Sequence, residues 1–445
     1  MYKKLILASV LAFSFNACSV LHDDIDLSKD FKPQTSDFNV EKFWWKNFND
    51  ENLNTLVSAV LNNNSDMQVA IKNIEIADAA YKMSRAGLFP SLDLAVNSSK
   101  SYPKQTPNGQ KHSGNLILSY EIDFFGKTSL KNAQELGKKI SVYEAMEIEN
   151  ILALKTVELY FELITLSRNE QILQDYVKTM ENTTKLRQSQ YQLGVIDESI
   201  VLQTREEMVS AKSSLISVQK AMASVKNALL SLSAKTLDDV IYGDINTSDS
   251  FITNYTLPSG IPANALSNRP DVAKALDSAL RANEMTANAR SAYFPKINLT
   301  GSLGYASYEL NNLLDNPTNS IAGSIVAPLF HFGAIKENVR KTALTRDIAV
   351  LNYEKVLKEA LLDIKNTLSD YEKTNEALKN YEELLVLEED IFKINKIRFN
   401  AGSIGYFELL DAQRRLLNAR LAYNNEKLNK IKAVAKAYKA LGLNQ

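Results

Sequence analysis

Seven-residue spacing dominates two parts of the chain. Leu410, Leu417, Ile431 and Tyr438 recur on one row, and Leu421, Leu428 and Ala435 fill a second. That is the heptad signature of a helix packed lengthwise on another helix. Two positions of this seam, Arg414 and Asn424, are polar, and Asp411 lies one turn before Arg414. The seam follows a break at Gly402 and a restart near Ile404. Gly194 breaks an earlier helical pattern in the same way. Val201, Met208, Leu215, Met222 and Leu229 follow it, with Leu202, Val209, Ile216, Ala223 and Leu230 beside them. Long helical patterns precede both breaks, from about Gly126 to Leu193 and from about Gly333 to Ala401. At a rise of about 1.5 Å per residue, each spans roughly 100 Å if unbroken.

A period of two appears elsewhere. Leu92, Leu94 and Val96 alternate with Asp93, Ala95 and Asn97. Leu116, Leu118, Tyr120, Ile122 and Phe124 alternate with Asn115, Ser119, Glu121 and Asp123. Ile297, Leu299, Leu303 and Tyr305 alternate with Asn298, Thr300, Ser302 and Gly304. The spacing predicts strands at about 90–100, 114–124 and 295–305. A fourth, at about 321–332, alternates poorly and holds Pro328. Polar loops join each pair, over 100–113 and 306–320. The strands have the length of tilted membrane-spanning strands, about ten residues. Tyr102, Phe124, Tyr293, Phe294, Tyr305 and Phe330 gather near their ends, as interfacial aromatics do. A small soluble hairpin layer would show the same periodicity.

These elements repeat. Phe89-Pro90 and Phe294-Pro295 each follow a helical pattern, over about 50–86 and 263–292, and open a strand. Asp66 and Asp271 keep the same offset, and Phe125-Gly126 answers Phe332-Gly333. With Gly194 and Gly402, these landmarks mark a tandem duplication. The domain boundaries follow: 1–17 a signal segment, 18–44 a tether, 45–240 the first repeat, 241–262 an irregular connector and 263–445 the second repeat. The segment Phe43 to Asp50 reads as a hydrophobic cap on the following helix.

Four strands cannot close a membrane barrel, which needs about eight, and an open sheet edge is not tolerated in lipid. If the strands span a membrane, several chains share one barrel: two copies supply eight strands and three supply twelve. Long helices would then project into an aqueous compartment as a hollow tube, with the turns at Gly194 and Gly402 at its far end.

Composition narrows the chemistry. Only 15 glycines and 10 prolines in 445 residues favour long helices. A formal net charge of -1 gives no field for nucleic acid, so no nucleic-acid partner is expected. His22, His112 and His331 are the only histidines, and no pair has metal spacing. No glycine-rich phosphate loop is present, and acidic pairs sit on solvated helix faces, so no enzymatic activity is expected. Lys3 and Lys4 precede an apolar run from Leu5 to Phe15, a targeting pattern ending at Ala17-Cys18. Cys18 is the only cysteine, so no disulfide forms within one chain. Phe15-Asn16-Ala17-Cys18 resembles a bacterial lipoprotein signal, which implies a covalent lipid on Cys18 as the only added group. The other reading is a free cysteine in an ordinary signal peptide.

The element order, the WWKNFNDENLN start, the Phe-Pro strand entries, the Phe-Gly exits and Leu-Leu-Asp-Ala-Gln-Arg at 409–414 resemble the TolC-like outer-membrane efflux family. Cys18 places the chain with its lipoprotein branch, NodT-type or OprM-like. The resemblance covers Cys18 to Leu443. It implies a mainly α fold with a small membrane β part, and a homotrimer whose twelve-stranded barrel continues into a periplasmic α-helical barrel. It implies a periplasmic adaptor and an inner-membrane RND pump as partners, and outer-membrane lipid around the barrel.

The family closes its tunnel at the periplasmic tip. By that resemblance Asp411 and Arg414 are ionic gate positions, and Phe407 is an apolar constriction. Three-fold symmetry would bring three such pairs near one axis, and charge rings with an apolar constriction are common gate elements. The plainer reading is an exposed helix pair worth about half a kcal/mol. The first repeat carries Gln203 and Glu206 at the matching positions. Glu121 and Asp123, alternating with outward Tyr120 and Ile122, are expected to face the lumen and favour cations. The function this implies is an exit duct for small toxic compounds. The alternatives are the tunnel of a type I protein secretion system and a periplasmic coiled-coil scaffold without a pore.

Overall fold

The computed structural model describes residues 43–100, 110–123, 125–234, 266 and 269–441. Cys18, the connector and most of the loop over 100–113 lie outside them. In chain order the elements are α1 (Glu51–Asn63), α2 (Ser65–Ala86), β1 (Ser91–Lys100), β2 (Gln110–Ile122), α3 (Gly126–Gln192) and α4 (Glu198–Ser233). The second half supplies α5 (Pro270–Ser291), β3 (Lys296–Ser307), β4 (Pro317–Val326), α6 (Ala334–Asn400) and α7 (Tyr406–Ala440). α3 and α6 have 67 residues each.

The chain divides into two compact units that do not follow the two sequence halves. One gathers 72–144 and 271–356, the other 43–71, 145–270 and 357–441, so each mixes both halves.

The first unit holds the sheet. Its order is β1-β2-β3-β4, antiparallel throughout. The register puts Leu94 opposite Leu116, Leu116 opposite Leu303, and Ile321 opposite Gly301. Leu92, Leu94, Val96, Leu116, Leu118, Leu299, Leu303 and Ile321 therefore share one face, and all are exposed, Ile321 to 95%. The other face carries Asp93, Asn97, Asn115, Glu121, Asn298, Thr300, Ser302 and Ser320. Alternation is thus inverted relative to a soluble sheet, whose apolar face is covered. β1 and β4 are free edges.

Two strands differ from the alternation, and β2 also starts four residues early, at Gln110. β2 ends at Ile122, not 124, because the Asp123 carboxylate accepts from the amides of Gly126 and Lys127 (both 3.1 Å) and starts α3. β4 runs 317–326 rather than 321–332. It ends before Pro328, which has no N–H for the ladder, and it pairs upstream from Pro317 at the free edge.

The second unit holds the main core. Trp44–Phe48 form one 3-10 turn with Trp44, Trp45 and Phe48 buried. Trp44 stacks on Tyr438 of α7, ring centroids 5.9 Å apart. Val157, Tyr160, Phe161 and Ile164 of α3, Leu229 of α4, and Ile431 and Val434 of α7 complete the cluster. Asp50 fixes the entry: it accepts from the Leu53 amide at 3.1 Å and from the Tyr160 hydroxyl at 2.7 Å. The single helix expected over 50–86 is two helices. Asn64 has extended ψ of 132, its side-chain oxygen accepts from the Asp66 amide at 2.9 Å, and its amide donates to the Leu232 carbonyl at 3.1 Å. The helix expected from 263 begins at Pro270, a residue suited to a first turn.

The heptad seam of α7 needs a correction. Near Gly402 the buried row is Leu409, Ala412, Leu416 and Ala419, one position before the expected Leu410 and Leu417 and two before the expected Arg414 and Leu421. Leu428, Ile431 and Ala435 are buried as expected, but there Lys430, Ala433 and Ala437 are buried too. The helix is enclosed on two sides in its last turns and on one side near its start. Arg414 consequently lies off the seam. On α4 the row Leu202, Val209, Ile216 and Leu230 is exposed along its length.

Candidate functional site

Both long helices end in the same turn. Gly194 and Gly402 have φ of +70, a conformation that disfavours side chains. The Val195 amide donates to the Gln190 carbonyl at 2.9 Å, and the Ser403 amide to Arg398 at 2.9 Å. This is the paired closure of a glycine C-cap, and it reverses the chain sharply enough for the return helix to start within a few residues.

Just past the second turn lie the expected gate residues. Arg414 donates from Nη2 to Asp411 Oδ1 at 3.1 Å. Arg415 Nε lies 3.5 Å from the other Asp411 oxygen and 3.6 Å from Glu388 of α6. Asp411 thus sits between two arginines. Phe407, one turn before Asp411, is 46% exposed. The structure brings these three onto one outward face of α7. The Asp411–Arg414 pair is about half exposed and by itself contributes less than about 1 kcal/mol within one chain.

One residue here has no signal in the sequence. Arg187 of α3 is buried, with its guanidinium 4.1 Å from the Tyr406 ring centroid and 5.5 Å from that of Phe399. Nη1 donates to Gln190 at 2.7 Å. Nε and the Tyr406 hydroxyl are buried without hydrogen-bond partners among the described residues. This cation joins the first hairpin to the second. Nearby, the Tyr176 hydroxyl donates to Glu207 Oε1 at 2.9 Å and so ties α3 to α4. Burial, with help from that bond, pushes the Tyr176 hydroxyl well above the ordinary tyrosine range.

The two expected lumenal acids lie in the other unit. Glu121 is on the polar face, 3.4 Å from Lys296 Nζ and 3.7 Å from Lys127 Nζ. Asp123 caps α3. Glu121 thus has local counter-charge from two lysines, whereas Asp123 is held by backbone amides at the start of α3. His112 meets Ser98 at 2.9 Å on neighbouring strands. Among the described residues no group of three or more metal-ligating side chains is assembled, and no helix is long and apolar enough to cross a membrane.

A sheet with an exposed apolar face, carried with 67-residue helices that end in glycine-capped hairpins, defines an outer-membrane channel protein. Comparison with known proteins agrees. The sequence model described as outer membrane efflux protein matches residues 56–235 and 261–443, and the chain belongs to this family. It is 30% identical over 410 residues to the solvent efflux pump outer membrane protein SrpC of Pseudomonas putida, covering 89% of this chain and 86% of that protein. The crystal structure of the Campylobacter jejuni CmeC outer membrane channel superposes with a TM-score of 0.86 at 26% identity, covering 95% of each chain. The open state of the Neisseria gonorrhoeae MtrE outer membrane channel gives 0.82 at 25% identity, covering 95% and 96%. The protein is an outer-membrane efflux channel, which sets aside a scaffold without a pore.

Proposed function

We propose that three copies of this chain form the exit duct of a tripartite efflux pump and pass small toxic compounds from the periplasm to the exterior. The observation that carries this reading is the four-stranded sheet: its apolar face is exposed and both edges are unpaired. Lipid covers such a face but cannot satisfy open edges within one chain, and three copies joined edge to edge pair every edge. The exposed row on α4 supports lateral packing of helices in the same assembly. Similarity to a solvent efflux pump component supports a periplasmic adaptor and an inner-membrane RND pump as partners. A lipid on Cys18 would add an anchor in the outer membrane, and no catalytic step is assigned to the chain.

Gating belongs to the second hairpin. Asp411, Arg414 and Phe407 lie on one outward face next to a rigid turn, where three-fold symmetry repeats them around an axis. Adaptor contacts that compete for the arginines would shift the balance toward the open state. The test is accumulation of unrelated dyes and drugs in cells lacking the protein, with and without complementation. Accumulation that complementation clears is the expected result. Unchanged accumulation, with a lost secreted protein instead, would overturn it.

A further inference from the structure

Between α3, α5 and α6 the sheet-bearing unit has a cleft of about 580 Å³. That volume is in the range of small-molecule sites, about 300–1,000 Å³. All its walls come from one unit of one chain, so it needs no second copy. Its apolar lining comes from Ile140, Met285 and three alanines, among them Ala349. Its charged lining is Arg281 and Lys341. No carboxylate pairs with either cation among the described residues. Asp277, one turn before Arg281, does not reach it, and burial pushes that carboxyl toward its neutral form. The Asn338 amide also lines the cleft and adds a donor.

The position of Arg281 is built. Gly137 lies inside the long helix α3, where glycine costs about 1 kcal/mol relative to alanine. A Cβ there would stand 3.6 Å from Arg281 Nε and Cζ, so the guanidinium packs beside this stretch of α3 at a distance that leaves room for little more than a methyl group. A larger side chain would lift it out. Arg281 and Lys341 are both exposed and solvated in the free protein, and two unpaired cations beside an apolar wall complement one ligand class.

We propose that this cleft binds an amphipathic organic anion, with a carboxylate, sulfate or sulfonate head on Arg281 and Lys341 and an apolar body against Ile140 and Met285. The site is distinct from the hairpin gate, and its occupancy depends on neither conductance nor pump docking. The probe is naphthalene-2-sulfonate, titrated calorimetrically into the full-length protein in a neutral detergent. Naphthalene-2-sulfonamide is the uncharged control. One site per chain is expected, with affinity reduced about tenfold or more by Arg281→Gln with Lys341→Gln. Ala349→Trp, which narrows the cleft beside its apolar wall and keeps both cations, should weaken binding at least as much. Undiminished binding by either variant, equal binding of the sulfonamide, or no binding to the unaltered protein would overturn the proposal.

Discussion

The guanidinium of Arg187 lies 4.1 Å from the ring centroid of Tyr406, so the last turns of α3 and the first turn of α7 are held by a buried cation on an aromatic face. Such contacts are worth about 2 kcal/mol when desolvated. With Nε unpartnered, the stack joins the Nη1 bond to Gln190 in compensating a charge removed from water. Arg187→Ala should loosen the hairpins and raise single-channel conductance in planar bilayers, while Arg187→Lys should recover only part of the effect. Identical conductance in all three proteins would make the stack packing alone.

Asp411→Ala with Arg414→Ala should also raise conductance, through loss of a charge pair repeated around the assembly axis. Because the pair is half exposed, concentrated salt should mimic part of the change. Conductance that rises only in step with bulk conductivity, in both proteins, would remove these residues from the gate.

Asp78 offers a pH signature in the sheet-bearing unit. It accepts from Lys138 and Lys82, both at 2.7 Å, and those bonds hold its carboxyl down at about 2 against an ordinary 3.8. A depressed carboxylate stabilises fully above its unfolded value and loses that contribution as pH falls through the folded one. The window is therefore about pH 4 down to about pH 2. The thermal midpoint of Asp78→Asn should lie below that of the unaltered protein above the window and merge with it below. A constant gap through acid pH would contradict the assignment.

Gly304 has no room for a side chain. A Cβ there would overlap the Gly114 carbonyl oxygen on β2 and approach the Asn115 Cα at 2.6 Å. Gly304→Val should break the β2–β3 pairing and prevent recovery of folded protein from the outer membrane. Gly323→Val, which meets only Leu299 at 3.5 Å, should be tolerated. Equal yields from both variants would show that the sheet accommodates the clash.

Much of this was legible in the sequence because it rests on local rules. Long helical patterns gave α3 and α6 to within a residue or two, heptads marked the return helices α4 and α7, and alternation gave β1 and β3. The tip turns followed from Gly194 and Gly402. What escaped depends on partners far along the chain. Asn64 breaks a helix through a bond to Leu232, 168 residues away. Arg187 sits in a polar helix end that nothing distinguishes until Tyr406 is placed beside it. β4 slipped because Ser, Gly and Ala blur its alternation. The proposed gate residues were reached through resemblance, and the structure adds that Asp411 serves two arginines.

The two bare edges of the sheet have a genetic consequence. A chain that can pair through β1 but not through β4 still enters an assembly, and it leaves a gap that its neighbours cannot seal. With three copies to a ring and equal supply of sound and faulty chains, only about one ring in eight holds sound chains alone. A lesion confined to β4 would therefore behave as dominant, silencing most of the output of an intact gene beside it.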